Sequence, residues 1–282
     1  MDSDYNEGGN TNSMDMYFCP LYSGSSGNAL YCQYGNTSLL IDAGKSGKTI
    51  EGALKAIGAD INRISGVLIT HEHSDHIYGA GVLARKYHLP IYATSETWRA
   101  MDGKIGKIPG DLLREIEAGK DFWLGDIGVS PFSIPHDAAD PVGYRLWGGN
   151  LSVSTATDLG YFSEDVYAHI AGSTLTLLES NHDPDMLKAN PRYSAALKAR
   201  ILGDHGHLSN AACAEALLRL IHTGTTHVIL GHLSGENNTP VLARRVSAEA
   251  LAREGIRPDE DVALQVALRD EVGNVYILKE RL

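Results

Sequence analysis

Residues 70–76 place four metal-ligand side chains on one short turn, namely His71, His73, Asp75 and His76. Three imidazoles and a carboxylate crowded together would lose solvation and repel one another without a cation. Neutral imidazole and carboxylate suit a divalent ion such as zinc. A polar surface loop without a ligand is one alternative. A closed structural zinc site is another, but the sequence has no Cys-x-x-Cys pair and no cysteine near the turn.

The residues before this turn predict a strand that holds the ligands at its end. Residues 66–69, Gly-Val-Leu-Ile, are apolar and without polar alternation, which is typical of a short strand buried on both faces. Loops at the carboxyl ends of strands in α/β sheets aim side chains into a crevice. A helix is predicted to begin near Ile77 and to end at about Tyr87. One strand end could therefore serve two adjacent metal ions.

The pattern His-x-His-x-Asp-His after a buried strand resembles the signature of the metallo-β-lactamase fold, with Glu72 and Ser74 at the x positions. The diiron flavoprotein branch is less similar, because it usually has Glu where His73 stands. Ser-Gly-Ser-Ser-Gly-Asn at residues 23–28 resembles the YycJ subgroup. The resemblance covers residues 16–282 and implies an α/β protein built as a four-layer αβ/βα sandwich. Periodicity alone predicts only an α/β protein with mixed sheets.

Carried over position by position, the resemblance implies seven ligands for two divalent metal ions. His71, His73 and His136 would hold one ion, Asp75, His76 and His232 the other, and Asp158 would bridge them. Each ion then keeps room for water and substrate, which is typical of a catalytic site. Zinc is the first choice of metal, with Mn²⁺ and Fe²⁺ as alternatives. Penicillin-type lactams are disfavoured as substrates, because those enzymes have Cys at a ligand position where this chain has Asp158.

Three residues are candidates for catalytic roles in phosphodiester hydrolysis. Asp75 would orient the attacking water in addition to holding a metal ion. His207 would protonate the leaving oxygen, since Gly-His-Leu-Ser at residues 206–209 is similar to the Gly-His-Ser-Thr element of related tRNA-processing nucleases, with Leu208 as the departure. His182 is the alternative, because the Asn-His-Asp sequence around it also occurs in the YycJ subgroup.

Two further stretches carry side chains suited to the phosphates of a substrate. In the glycine-rich stretch, Ser25, Ser26 and Asn28 could cradle an anion together with backbone N–H groups, although such a turn often has no ligand. Ser209 is the predicted N-cap of an amphipathic helix. Ser209 and Asn210 therefore stand at a helix start that could bind phosphate.

Length and composition predict one large domain over residues 14–282. The chain has 282 residues, of which 43% are hydrophobic, enough for a full core. Residues 1–13 are rich in Asp, Ser, Asn and Gly, which predicts a disordered leader or residues left from cloning. Three cysteines and the lack of an apolar run of roughly 18 residues predict a cytoplasmic protein without a membrane partner. Residues 95–113 have the least regular pattern, that of a flexible rim or a solvated insertion.

The predicted substrate is nucleic acid, although the formal net charge is −11. Proteins that bind nucleic acid by general electrostatics are usually basic, but two divalent ions would make the site itself more positive. The resemblance to the YycJ subgroup implies a 5′-to-3′ exonuclease acting on DNA ends. A hydrolase of the same fold acting on a cyclic phosphodiester or a thioester is the alternative, and a metal-binding regulatory protein without turnover is a third. The sequence does not indicate the oligomeric state.

Overall fold

The structure, a computed structural model, describes residues 14–280. Residues 1–13, for which a leader is predicted, lie outside the described residues, as do the last two. The described chain contains two seven-stranded sheets. The first has the order β14-β1-β2-β3-β4-β5-β6 and consists of β1 (Met16–Tyr22), β2 (Ala29–Tyr34), β3 (Thr37–Ile41), β4 (Ile64–Leu68), β5 (Ile91–Thr94), β6 (Leu113–Ile116) and β14 (Tyr276–Leu278).

The second sheet has the order β13-β12-β11-β10-β9-β8-β7. Its strands are β7 (Phe122–Leu124), β8 (Ile127–Ser133), β9 (Val142–Gly148), β10 (Leu151–Ala156), β11 (Leu175–Glu179), β12 (His227–Gly231) and β13 (Ala263–Val266). In both sheets an antiparallel part adjoins a parallel part. Strands β3 to β6 are parallel in the first sheet, and β10 to β13 are parallel in the second.

Helices cover the outer face of each sheet. They are α1 (Gly47–Ala56), α2 (Ser74–Ile77), α3 (Ala80–Tyr87), α4 (Ser95–Met101), α5 (Glu164–Ile170), α6 (Pro184–Ala189), α7 (Ala195–Leu202), α8 (Asn210–Ile221) and α9 (Pro240–Arg253). None of the helices within residues 14–280 has the length and apolar character needed to cross a membrane.

Three buried clusters join these layers. Leu54 of α1 and Leu83 of α3 pack on one face of the first sheet. Phe18 and Tyr144 belong to the cluster between the two sheets, and Leu217 of α8 belongs to the cluster outside the second sheet. The order of layers is therefore helices, sheet, sheet, helices. This confirms the predicted α/β class and the four-layer αβ/βα sandwich.

Local structure differs from the predictions in two places. The helix predicted from Ile77 is two helices, and the first begins at Ser74, so Asp75 and His76 lie within a helical turn. The chain approaches itself closely between them, because a Cβ on Gly79 would lie 2.2 Å from the Lys45 carbonyl oxygen. Residues 95–113 are more regular than predicted, because they contain α4, whose N-cap Thr94 accepts a hydrogen bond from the next turn.

Several parallel strands end at one edge of the molecule and carry polar residues there. Asp42 follows β3, His232 follows β12, and Asp158 comes two residues after β10. All three adopt the left-handed conformation, with φ of 62°, 54° and 62°. Side chains other than glycine rarely adopt it, and such residues cluster at functional sites. The backbone at this edge therefore bends to bring these three side chains inward.

Candidate metal centre

Three imidazoles meet where β4 and β8 end. His73 Nδ1 lies 3.1 Å from His71 Nε2 and 3.3 Å from His136 Nε2. The other ring nitrogen of His136 lies 3.2 Å from the Gly206 carbonyl oxygen, so it donates there and leaves Nε2 directed at the cluster. Burial, followed by the charges of neighbouring imidazoles, lowers the pKa of His71 well below its usual value. Its ring is neutral at pH 7, as a metal ligand must be.

A second group of ligand atoms is formed by Asp75, His76 and His232. Asp75 Oδ2 lies 3.5 Å from His76 Nε2 and 3.7 Å from His232 Nε2. The opposite nitrogen of His76 donates to Asp42, with Nδ1 and Oδ2 2.8 Å apart. Asp42 in turn accepts hydrogen bonds from the backbone N–H and the hydroxyl of Thr70. Asp42 thus fixes the His76 ring with Nε2 facing Asp75, an arrangement typical of metal-binding histidines.

Asp158 lies between the two groups. One oxygen is 3.4 Å from His76 Nε2, and the other is 3.5 Å from His232 Nδ1 and 3.8 Å from His136 Nε2. The side chain is almost completely buried. The structure thus brings all seven predicted ligands together, and the carboxylate of Asp158 reaches both groups.

The chemistry of this cluster fits divalent cations. Asp158 Oδ2 and His232 Nε2 are buried and have no hydrogen-bond partner among the described residues. Burial opposes protonation of His232, but the carboxylates of Asp158, Asp75 and Glu179 outweigh it and raise the pKa of His232 to about 10. The carboxylates therefore attract positive charge, which metal ions would supply. Unpaired buried polar atoms are costly, and a bound ion would remove that cost.

Glu179, the last residue of β11, belongs to the candidate site and was missed by sequence reasoning. Its Oε1 lies 2.8 Å from both His207 Nδ1 and His232 Nδ1, and its Oε2 accepts hydrogen bonds from the backbone N–H groups of Leu159 and Leu208. Burial alone would raise the pKa of Glu179, but these imidazoles lower it below its usual value. The sequence does contain a feature that could have identified Glu179, because it is an acidic residue at the carboxyl end of a predicted strand, as Asp42 is.

His207 faces a cleft that also contains His73 and His136. The cleft encloses about 170 Å³, and Ser25 and Ser234 form another part of its wall. Because Glu179 accepts the hydrogen bond from His207 Nδ1, Nε2 is the nitrogen available to a substrate. The Glu179 carboxylate outweighs the effect of burial and raises the pKa of His207, which favours a ring that carries a proton to donate.

The three predicted substrate-binding residues of the glycine-rich stretch, Ser25, Ser26 and Asn28, have different surroundings in the structure. Ser25 lines the cleft, and its contact with a substrate stays a prediction. The Ser26 hydroxyl donates to Asp270 instead, and Lys45 donates to Ser26. Asn28 is buried; its oxygen accepts from the Gly24 N–H, and its amide nitrogen lies 3.1 Å from His76 Nε2. Asn28 is therefore positioned to orient metal ligands rather than to touch a substrate.

The two other predicted substrate-binding residues, Ser209 and Asn210, lie at the start of α8 and differ in their surroundings. Ser209 is the N-cap, and its hydroxyl accepts from the Ala212 N–H, as predicted from the sequence. Asn210 is buried and bonded to Ser180 and Asn238, so its amide is used inside the protein and does not face substrate. His182 is also buried, beside this helix start, and burial lowers its pKa to about 4. It is not within any of the groups of ligand atoms.

Replacement of Asp42 by asparagine is expected to weaken metal binding by about 10–100-fold, the usual effect of losing a carboxylate behind a ligating histidine. The reason is that the amide accepts less strongly from His76 Nδ1 and can present its nitrogen instead. Competition of the protein with a chromogenic chelator measures the affinity. Asp60→Asn is the control, because Asp60 also accepts backbone and side-chain hydrogen bonds, from Asn62, but at the surface. Equal affinities for Asp42→Asn and the control would contradict this role.

Comparisons with known proteins agree with this geometry. Residues 37–233 match the family described as the beta-lactamase superfamily domain. The chain is 44% identical over 242 residues to the exodeoxyribonuclease YycJ of Bacillus anthracis, covering 86% of this chain and 91% of that protein. It is 42% identical over 235 residues to the exodeoxyribonuclease WalJ of Streptococcus pneumoniae, covering 83% and 87%.

A solved structure shares the fold at much lower identity. The zinc-bound PqqB of Methylobacterium extorquens superposes with a TM-score of 0.67 and 18% identity, covering 92% of this chain and 99% of that one. The match of a family domain to most of the chain and the identity to YycJ and WalJ over nearly their whole length lead to one conclusion. This chain belongs to the metallo-β-lactamase superfamily, within the group that contains YycJ and WalJ.

Proposed function

We propose that this protein is a metal-dependent phosphodiester hydrolase that digests DNA from the 5′ end. One observation supports this proposal most strongly. Asp158 lies between the two groups of metal-ligand atoms, and His207, paired with Glu179, faces the cleft beside them. The names of YycJ and WalJ, both exodeoxyribonucleases, support DNA as the substrate class. DNA as substrate and three buried free cysteines also agree with a cytoplasmic site of action.

His71, His73 and His136 would hold one metal ion, Asp75, His76 and His232 the other, with Asp158 between them. When bound, two such ions would lower the pKa of a water molecule and neutralise the charge that develops on the phosphate. Zinc is the first choice, because imidazole and carboxylate ligands suit it and the structural relative PqqB binds it; Mn²⁺ and Fe²⁺ suit the same ligands.

The protein's own groups would move the protons. Asp75 is placed to orient the attacking water and accept its proton, since one carboxylate oxygen lies among the ligand nitrogens. His207 would donate a proton from Nε2 to the leaving oxygen on the opposite side of the phosphorus. Glu179 would hold the tautomer and orientation of His207, because its buried oxygen accepts from Nδ1. His182, the alternative proton donor, lies deeper, and because burial lowers its pKa to about 4 its ring is neutral at pH 7 and lacks the additional imidazolium proton that a general acid donates.

A pair of cations beside the cleft explains how an acidic chain could hold a DNA strand. Lys45 Nζ lies 3.1 Å from one oxygen of Asp270, and Arg269 Nε lies 2.8 Å from the other. Two cations therefore share one carboxylate. Ser26, which bonds both Lys45 and Asp270, is the neighbour of the cleft residue Ser25. A phosphate of the strand could take the place of Asp270 as their partner.

Lys45→Gln and Asp270→Asn are expected to change DNA binding in opposite directions. Loss of the cation raises KM for single-stranded DNA and reduces the slope of log(kcat/KM) against log salt by about 0.7, the value for one phosphate contact. Asp270→Asn should lower KM, because Lys45 and Arg269 then lose their shared carboxylate and are free to bind a phosphate of the DNA strand. Lys86→Gln, which breaks a similar pair with Glu51 elsewhere, is the matched control. Shifts of KM in the same direction for Lys45→Gln and Asp270→Asn would indicate a purely structural ion pair.

The function is tested by incubating protein loaded separately with zinc and manganese with end-labelled DNA, RNA and a chromogenic phosphodiester. We expect mononucleotides to be released from the 5′ end of DNA. Hydrolysis of a cyclic phosphodiester or thioester without action on DNA would favour the small-molecule alternative. Metal binding without turnover of any substrate would favour a regulatory protein.

A further inference from the structure

A second cavity adjoins the catalytic cleft at His207. It encloses about 370 Å³ and extends from His207, just before α8, along that helix to Arg219, with Tyr161 and Phe162 also in its wall. None of the seven candidate metal ligands lines it. His207 lines both this cavity and the cleft that contains the ligands His73 and His136. The candidate proton donor therefore stands between the metal site and a separate space.

An unpaired polar side chain lies in the wall of this cavity. His182 is only 1% exposed, and neither of its ring nitrogens has a hydrogen-bond partner among the described residues. A neutral imidazole always carries one donor and one acceptor, and leaving both unpaired in a protein interior is unfavourable. Such a group in a native structure calls for a partner from outside the chain.

We propose that this cavity binds the base and sugar of the nucleotide that carries the leaving oxygen. The inference rests on the proposed function, because the leaving oxygen is the atom that His207 protonates. An in-line displacement places the attacking water and the leaving group on opposite sides of the phosphorus. The atoms attached to the leaving oxygen therefore continue past His207, away from the metal ligands, and the second cavity is the space that adjoins His207 there.

The walls of the cavity suit a nucleoside better than a phosphate. Tyr161 and Phe162 offer aromatic faces, and a base of any sequence can stack on them. The one arginine of the cavity, Arg219, forms two hydrogen bonds with Glu164, of 3.0 and 2.8 Å, and this one-to-one pair leaves no excess positive charge to attract a phosphate. The edge of every base offers donors and acceptors, and His182 could pair with them. The volume matches a site for one small molecule rather than a longer strand.

Digestion from the 5′ end, as proposed above, requires the 3′ oxygen to be the leaving atom. Water adds to phosphorus, the bond between phosphorus and the 3′ oxygen breaks, Asp75 accepts a proton from the water, and His207 gives one to the 3′ oxygen. The nucleotide in the cavity leaves with a free 3′ hydroxyl, and the remaining strand keeps the phosphate at its new 5′ end. A cavity that holds one nucleotide therefore holds the 5′-terminal one, and digestion removes nucleotides singly.

The test compares two single-stranded DNAs that differ only in whether the 5′-terminal nucleotide has a base. For the unaltered protein we expect kcat/KM to be higher with the base by about 5- to 150-fold, the range for one base stacked on aromatic side chains. Tyr161→Ala removes part of the cavity wall, and Ala212→Phe fills the cavity. Each substitution should lower kcat/KM for normal DNA to near the value for DNA that lacks the 5′-terminal base. His182→Ala should have the same effect, with a much smaller loss on abasic DNA.

Ala211→Phe is the matched control, because Ala211 is on the same turn of α8 but exposed to solvent, and it should keep the preference. A second readout is equilibrium binding of thymidine 5′-monophosphate, which Ala212→Phe should weaken and Ala211→Phe should not. Tyr161 is half exposed, so Tyr161→Ala remains informative if Ala212→Phe fails to fold. Equal cleavage of both DNAs by the unaltered protein would overturn the cavity assignment, whereas cleavage of neither would overturn the proposed function itself.

Discussion

Replacement of Asp158 by alanine is expected to release both metal ions and to abolish DNA hydrolysis. The carboxylate of Asp158 reaches both ligand groups, 3.4 Å from His76 and 3.8 Å from His136. Its removal leaves each group with three ligands and takes away the negative charge that offsets two adjacent cations. The loss of turnover should exceed the roughly 10²–10⁴-fold expected for loss of a proton donor. Elemental analysis after dialysis measures the metal content.

Asp270→Asn is the control for this experiment, since Asp270 is an acid beside the cleft that touches none of the ligands. It should retain both ions. Retention of one ion by Asp158→Ala would contradict the bridging role, because a ligand of one ion alone would leave the other in place. Retention of both would remove Asp158 from the ligand set.

The second large effect is expected for His207→Ala, which should lower turnover on DNA by about 10²–10⁴-fold without changing metal content. The Nδ1 atom of His207 is 2.8 Å from Glu179, and the ring lines the cleft without being one of the seven ligands. The effect should be much smaller for a nitrophenyl phosphodiester, because nitrophenolate leaves without a proton. The contrast between the two substrates is a measure of proton donation.

Other results for His207→Ala would have distinct meanings. Equal losses on DNA and on the nitrophenyl diester would indicate that His207 holds the phosphate. An unchanged rate on DNA would exclude it from the mechanism. Release of a metal ion would show that the ligand assignment is wrong, with His136 the first position to reconsider, because its ring is also close to His73 and Asp158.

The sequence predicts the ligand turn well because its information is local. His71, His73, Asp75 and His76 lie within six residues after an apolar strand, so their spacing alone brings them together. Placement of His136, Asp158 and His232 required the family resemblance, since each follows a different strand and only the sheet topology joins them. The four-layer architecture depended on the resemblance for the same reason.

The parts that could not be predicted depend on contacts between distant segments. Glu179 can be recognised as an acid at a strand end, but its role depends on four hydrogen bonds to residues 20 to 53 positions away, which the sequence does not show. Asn28 and Asn210 have side chains that suit a phosphate, but in the fold both are buried against protein partners. The second cavity likewise arises only where α8 and the loop after β10 come together.

The binuclear site is tested most directly by titrating the metal-free protein with zinc or manganese while nucleotides released from end-labelled single-stranded DNA are counted. Two ions acting together predict that little activity accompanies the first equivalent and that activity rises to a plateau with the second. Elemental analysis of the same samples should reach two ions per chain. Full activity at one equivalent, or no release of nucleotides at any metal content, would contradict a binuclear DNA hydrolase.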